Sequence, residues 1–206
     1  VDGLVLAQLC YVAFDQIAGE AATDHITLRD AYNRFNAEKI PETERMSTFE
    51  QDILLFKKLA ESTRFGQTIL ADYVNMTDTG EELQFSAVSC YLADGSVFVA
   101  FRGTDVTVVG WKEDFMLSFE KIPAQEQALS YLMRMMQPDL RYYIGGHSKG
   151  ANLALYASCL LPKEQFGQLL HVYVNDGPGL CPDVLDTSVI ARIDPITTKI
   201  VPEYDV

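Results

Sequence analysis

The sequence predicts an α/β fold, with a mostly parallel sheet, helices on both faces and a helical N-terminal region. Three observations predict it. Residues 1–65 carry helix-like spacing of apolar side chains. Residues 68–101 switch to strand-like runs around an Asp94-Gly95 turn. From Pro123 onward, helical and strand-like segments alternate, which calls for parallel strands joined by crossovers.

Leu4, Ala7, Leu9, Val12, Phe14 and Ile17 fill one loose face, so residues 3–18 are expected as a helix. Thr27 with Asp30 makes a weak N-terminal box before Ala31, Tyr32 and Phe35. Ser47 with Glu50 makes a fuller one before Ile53, Leu54, Phe56 and Leu59. Residues 68–76 and 83–92 are rich in Ile, Val, Tyr, Phe and Ser with partial alternation and read as strands. Asp94-Gly95 is a hairpin turn signal, so 83–92 should pair antiparallel with the buried strand at 96–101.

Pro123 opens a helix through Met136, carrying Ala128, Leu129, Leu132 and Met135 on its apolar side. Arg141 to Ile144 reads as a short strand, Ser148 to Leu160 as a helix, and His171 to Val174 and Thr197 to Val201 as strands.

The chain has 206 residues, 48% of them hydrophobic, which suits one domain with a real core across 1–206. No apolar run approaches the ~20 residues that a membrane span needs, and no signal peptide is visible. Cys10, Cys90, Cys159 and Cys181 lie far apart with no metal-like spacing, so a reducing cytoplasm is the expected location and no metal or cofactor is expected. The net charge of −13 repels phosphate backbones and anionic lipid surfaces, which argues against nucleic acid as a partner. A neutral or apolar small molecule is compatible with that charge. The oligomeric state is not legible. The chain begins Val1-Asp2 rather than with Met and stops at Val206 without tail composition, so it is expected to be truncated at its C-terminus.

Chemistry concentrates at Gly146-His147-Ser148-Lys149-Gly150, a G-x-S-x-G sequence between the strand Tyr142-Tyr143-Ile144 and the helix opened by Ala151. Strand, tight turn and helix is the setting in which this motif makes a nucleophile elbow. The glycines admit a turn that side chains would block. Ser148 Oγ then stands at the carboxyl end of the sheet and at a helix N-terminus that favours developing negative charge. The competing reading is a serine that merely caps the helix, as in nucleotide-binding folds, but neither GxGxxG nor GK[ST] is present.

Acyl transfer also needs N–H donors aimed at an oxyanion. One comes from the residue after the nucleophile, Lys149. The other comes from a loop after an earlier strand, where Phe101-Arg102-Gly103-Thr104-Asp105 makes the Thr104 N–H, with its hydroxyl, the candidate.

Taken together, "VAFRGTD…GWKEDF" and "GGHSKGANLALYAS" resemble the "FRGT" and "GHSLGG" segments of the class 3, fungal-type lipases. They resemble more closely a bacterial family of lipase-like α/β-hydrolases, in which these two motifs, "PAQ..A..YL" and "DGPG" follow in the order seen at 100–105, 110–115, 123–132, 145–154 and 176–179. Ala151 stands where glycine is usual and should only tighten packing behind the elbow. The resemblance implies an α/β-hydrolase fold and Thr104 as the oxyanion residue. It also implies an Arg102–Asp114 pair bracing that loop, and a lid over residues 105–119.

A serine nucleophile needs a base, and the base an orienting carboxylate. Asp205, just past the strand at 197–201 in "IVPEYDV", is the first choice of acid. Asp176 after the strand at 171–175 is the alternative, and Glu203 a weaker option. Asp194 would lie at the wrong end of its strand. His147 leaves the elbow on the side opposite a productive base. His171 begins its strand, about 16 Å from the carboxyl end at ~3.3 Å per residue. His25 has no evident place, and Lys149 points away from its neighbour's side chain. The catalytic histidine is therefore expected in a segment beyond this sequence.

These readings predict a serine hydrolase of carboxylic esters, lipase- or esterase-like, acting on a small-molecule or lipid ester through an acyl-enzyme on Ser148. The alternative is a catalytically inactive hydrolase-fold binding or partner module.

Overall fold

The computed structural model describes residues 1–14, 17, 25–38, 50–80, 83–104, 116–117, 120–180 and 183–203. Helices α1 (Asp2–Leu9), α2 (Leu28–Glu38) and α3 (Glu50–Glu61) precede most of the sheet, after a short β1 (Ile26–Thr27). Strands β2 (Ile69–Asp78), β3 (Leu83–Tyr91) and β4 (Val97–Phe101) follow. Then come α4 (Pro123–Met135), β5 (Tyr142–His147), α5 (Lys149–Leu160), α6 (Lys163–Phe166), β6 (Leu169–Asn175), α7 (Thr187–Ala191) and β7 (Thr197–Ile200).

Among the described residues, seven strands lie side by side in chain order, β1 to β7. The pairs β4–β5, β5–β6 and β6–β7 are parallel, and β1–β2, β2–β3 and β3–β4 are antiparallel. β2 therefore points the same way as β4 to β7, and only β1 and β3 oppose them. The sequence reading of a mostly parallel sheet holds in this sense.

The hairpin forms where Asp94-Gly95 predicted it. Gly95 takes φ 83°, Asp94 Oδ1 accepts from the Ser96 N–H at 2.9 Å, and Tyr91 pairs with Val97. Thr27 Oγ1 accepts from the Asp30 N–H at 3.1 Å, the box expected before α2. Ser47, the other predicted box residue, lies outside the described residues.

Alternation along the central strands sorts the core into two faces. Val97, Val99, Phe101, Ile144, Val172 and Val174 pack under α4 and α5. Phe98 and Ala100 pack with Leu6, Leu9, Phe56 and Leu59 of α1 and α3 on the other side. Both faces are thus covered, as central strands buried on both sides require.

One predicted element is shorter than expected. The helix foreseen over 3–18 ends at Leu9. The N–H groups of Cys10, Tyr11 and Val12 bond three residues back, to Ala7, Gln8 and Leu9, which tightens the chain into turns. The turn carries Tyr11 toward β4 and β5. Helix β-sheet spacing alone does not reveal this, because Val12, Phe14 and Ile17 are buried all the same.

Candidate active site

Register places the site. Phe101 pairs with Gly146, and His147 with Asn175, so β4, β5 and β6 end together at one edge of the sheet. Ser148 follows immediately with φ 54° and ψ −127°, a backbone conformation that costs roughly 1–3 kcal/mol for a residue with a side chain. The surroundings hold it there. The Ser148 N–H donates to the Asn175 carbonyl at 3.0 Å, and the Ser148 carbonyl accepts from Ala151 at 3.0 Å. Although Ser148 occupies the N-cap of α5, its hydroxyl makes no capping bond to the helix.

The two motif glycines are sterically required. A Cβ on Gly146 would lie 2.2 Å from the Gly150 carbonyl carbon, and one on Gly150 would lie 2.2 Å from the Phe101 oxygen. Ala151 is fully buried, as the predicted tightening demands. Gly177 makes room for it, since a Cβ there would meet the Ala151 Cβ at 2.5 Å and the Ser148 oxygen at 3.0 Å.

The loop after β4 abuts the elbow. A Cβ on Gly103 would sit 3.3 Å from the Ser148 Cβ and 2.6 Å from the His147 oxygen. Thr104 follows, and its Oγ1 is buried with no hydrogen-bond partner among the described residues. Arg102 is buried and its backbone N–H donates to the Ser86 oxygen. Its foreseen partner Asp114 lies outside the described residues, as does nearly all of the foreseen lid. The Lys149 side chain is fully buried and turned to β3, where Nζ donates to the Gln84 carbonyl and side-chain oxygens at 2.9 and 2.7 Å.

Asp176 follows β6 at φ 48°, and its N–H donates to the Ile200 oxygen at 2.6 Å. It thus sits at the same end of the sheet as Ser148. Asp205 lies outside the described residues. Glu203 and Asp194 are exposed.

The histidines are all engaged elsewhere. His171 Nε2 lies 2.7 Å from Thr198 Oγ1, and burial lowers its pKa. His25 stacks on Tyr91, whose pairing with Val97 puts it at the opposite end of β4 from the elbow. His147 Nδ1 lies 3.1 Å from the Tyr11 hydroxyl. Among the described residues no group of His, Cys, Asp and Glu is arranged to hold a metal ion. The buried Cys10 thiol donates to the Ala100 oxygen at 3.4 Å, and burial pushes its pKa up to about 12, which leaves it a poor nucleophile.

Three residues at this end of the sheet escaped the sequence reading. Tyr11 had no signal, because its role depends on where α1 stops. Asn152 stands four residues after Ser148, one helical turn on, which was a usable hint. Its Nδ2 donates to the oxygens of Pro178 and Gly179 at 3.3 and 3.0 Å, and its Oδ1 accepts from Gln125 Nε2 at 2.8 Å. Gln125 Oε1 in turn accepts from the Ile122 N–H, so Gln at the third position of α4 was legible as a cap.

A family model described as Mbeg1-like matches residues 59–206. The chain belongs to the Mbeg1-like family. This is a lipase-like hydrolase family, in agreement with the resemblance carried by the motifs. The Mbeg1-like match takes in every strand from β2 onward and the whole elbow, while α1 and α2 precede it. No curated protein matches the chain.

Among solved structures, M37 lipase superposes with a TM-score of 0.50 at 15% identity, covering 95% of this chain and 64% of the lipase. The likeness establishes the α/β-hydrolase fold, and the chain spans under two thirds of that relative's length. Extracellular lipase LipA from Serratia marcescens aligns with a TM-score of 0.41 at 12% identity, over 96% of this chain and 38% of LipA. Among the described residues no helix is long and apolar enough to cross a membrane.

Proposed function

We propose that this chain carries the core of a serine hydrolase of carboxylic esters, in which Ser148 attacks the ester carbonyl and forms an acyl-enzyme. The observation that supports this most is the state of Ser148 itself. It is held at φ 54° on a strand–turn–helix junction, yet its hydroxyl does not cap the helix it opens. A serine kept only for capping would adopt an extended backbone and bond the helix N–H groups. Strain with no local hydrogen-bond return fits a presented nucleophile.

In this reading the N–H groups of Thr104 and Lys149 receive the oxyanion, with the Thr104 hydroxyl, which has no partner among the described residues, as an added donor. Arg102, Gly146 and Gly150 are structural supports, with Asp114 as the proposed partner of Arg102. Asp176 and Asp205 are the two candidate acids, and the placement of Asp176 one residue before Gly177, which packs on the Ser148 carbonyl, supports the former. The base comes from outside the three histidines as they stand. A neutral small-molecule or lipid ester suits the net charge of −13, and nucleic acid does not. The free, buried thiols of Cys10, Cys90 and Cys159 are compatible with the cytoplasm.

The engagement of His25, His147 and His171 away from Ser148 favours a second reading, a hydrolase-fold module that binds without turnover. A fluorophosphonate probe applied to the full-length protein separates the two. Covalent labelling at Ser148 with ester turnover supports the hydrolase, and a folded but unlabelled protein supports the binding module.

A further inference from the structure

Three segments meet at the phenolic oxygen of Tyr11. Tyr11 stands in the turn that ends α1, with its N–H bonded to the Gln8 oxygen. Its hydroxyl lies 3.1 Å from His147 Nδ1 on the elbow, with the two rings 6.0 Å apart. Gly103, in the loop after β4, approaches the same oxygen so closely that a Cβ there would lie 2.2 Å from it. The same Cβ would lie 3.3 Å from the Ser148 Cβ, so Tyr11 and Ser148 both crowd the one glycine.

A hydroxyl offers one proton and two lone pairs, so the Tyr11 oxygen can hydrogen-bond His147 Nδ1 at 3.1 Å. Burial raises the pKa of the phenol, so it stays a neutral donor. The contact thus ties two segments together, namely the loop that leads into Thr104 and the turn that carries Ser148.

We propose that Tyr11 is a positioning residue of the hydrolytic site, clamping the Gly103–Thr104 loop to the Ser148 elbow and so setting the spacing between the two oxyanion donors. The inference rests on the hydrolase reading of Ser148. Oxyanion donors act at about 2.7–3.1 Å from the developing charge, and a displacement of ~1 Å costs roughly a hundredfold in rate. A tyrosine needed only for packing would be replaceable by phenylalanine without effect on chemistry.

The test compares Tyr11→Phe with the unmodified full-length protein on a p-nitrophenyl ester and on a fluorophosphonate. The proposal expects kcat and the rate of Ser148 phosphonylation to fall about 10–100-fold, with KM within about twofold and the melting temperature little changed. It also expects faster hydrogen exchange at the Gly103 amide and a moved 15N resonance of His147 Nδ1. In a folded Tyr11→Phe protein, unchanged kcat, or a loss carried by KM rather than kcat, overturns it.

His147→Ala supplies a second variant should the phenylalanine protein fail to fold. It should lose kcat at constant KM, and where both variants fold their losses should not add. A His147→Ala protein with unmodified kcat overturns the clamp. Absence of turnover and labelling in the unmodified protein overturns the hydrolase reading and the clamp with it. Normal turnover there with an unaffected Tyr11→Phe overturns the clamp alone.

Discussion

Lys149 buries its ammonium against Gln84, with Nζ 2.7 Å from the side-chain oxygen and 2.9 Å from the carbonyl. The residue after Ser148 thus anchors the start of α5 to β3 through its side chain, and the proposed oxyanion role falls to its backbone N–H alone. Lys149→Met removes the anchor and keeps the N–H. Because it strips two buried acceptors of their donor, we expect a stability loss of about 2 kcal/mol in urea unfolding. Ester turnover per folded molecule should stay within a few-fold, and a collapse of kcat would show that the side chain takes part in the chemistry.

Ser148 stands in a strained backbone conformation at the head of α5. Ser148→Ala in the full-length protein should abolish ester hydrolysis and probe labelling without loss of fold. Ser148→Gly should abolish them as well and raise stability by about 1 kcal/mol, because glycine relieves a backbone at φ 54°. Thermal denaturation of the pair checks this, and a glycine variant no more stable than the alanine one would count against the strain.

The glycines of the elbow predict the opposite sign. Gly150→Ala drives a Cβ into the Phe101 backbone at 2.2 Å, where no flexible side chain can give way. We expect destabilisation of about 3 kcal/mol or aggregation on expression. Gly179→Ala is the control, since a Cβ there meets nothing within 4 Å, and it should be close to neutral.

Asn152 ties α4, α5 and the loop after Asp176 into one network, buried at Gln125 and part-buried at the loop. Asn152→Leu strands the buried Gln125 amide, at about 1–3 kcal/mol, and leaves the carbonyls of the exposed Pro178 and Gly179 to water. If Asp176 is the acid, the same variant should lower kcat beyond what its unfolded fraction explains. Asp176→Asn should lower kcat more strongly, and an unaffected Asp176→Asn enzyme would move the assignment to Asp205.

Asp72 gives a pH signature. Burial raises its pKa above the ordinary carboxylate value, opposed by His25 and Arg134. Its folded pKa exceeds its unfolded one, so its contribution to stability is present at low pH and is lost as pH rises from the unfolded value through the folded one. Asp72→Asn, which also tolerates the φ of 57°, should raise the melting temperature at pH 7. The gap should close as the pH falls toward the unfolded carboxylate value, and a gap independent of pH would refute the assignment.

Much of this was readable in advance wherever a local rule carried the information. Asp94-Gly95 needs only its own φ preference to announce the hairpin, and Pro123 opens α4 as its missing N–H dictates. The strand–turn–helix junction at Ser148 announced itself through two glycines at fixed spacing. What escaped depends on contacts distant in sequence. The β2 bulge between Ala71 and Val74 is one case, with the Asp72 carbonyl accepting from Tyr131 of α4. The end of α1 is another, because the next turns deliver Tyr11 to residues 92 and 136 positions away. Asp72 and Tyr11 carry no local signature, since a left-handed aspartate and a turn tyrosine look like any others until their partners are in place.

The order of strands in space is also their order of synthesis. A nascent chain emerging from the ribosome therefore always meets a waiting partner, with β5 docking on a β4 already made and β6 on β5. None has to be threaded between neighbours that have closed. The strained turn at Ser148 is laid down after the N-terminal half of the sheet and both glycine-contacted residues, Phe101 and Arg102, exist to receive it. Vectorial growth thus gives the least favourable local conformation in the site a finished surface to fold against, rather than asking it to nucleate one.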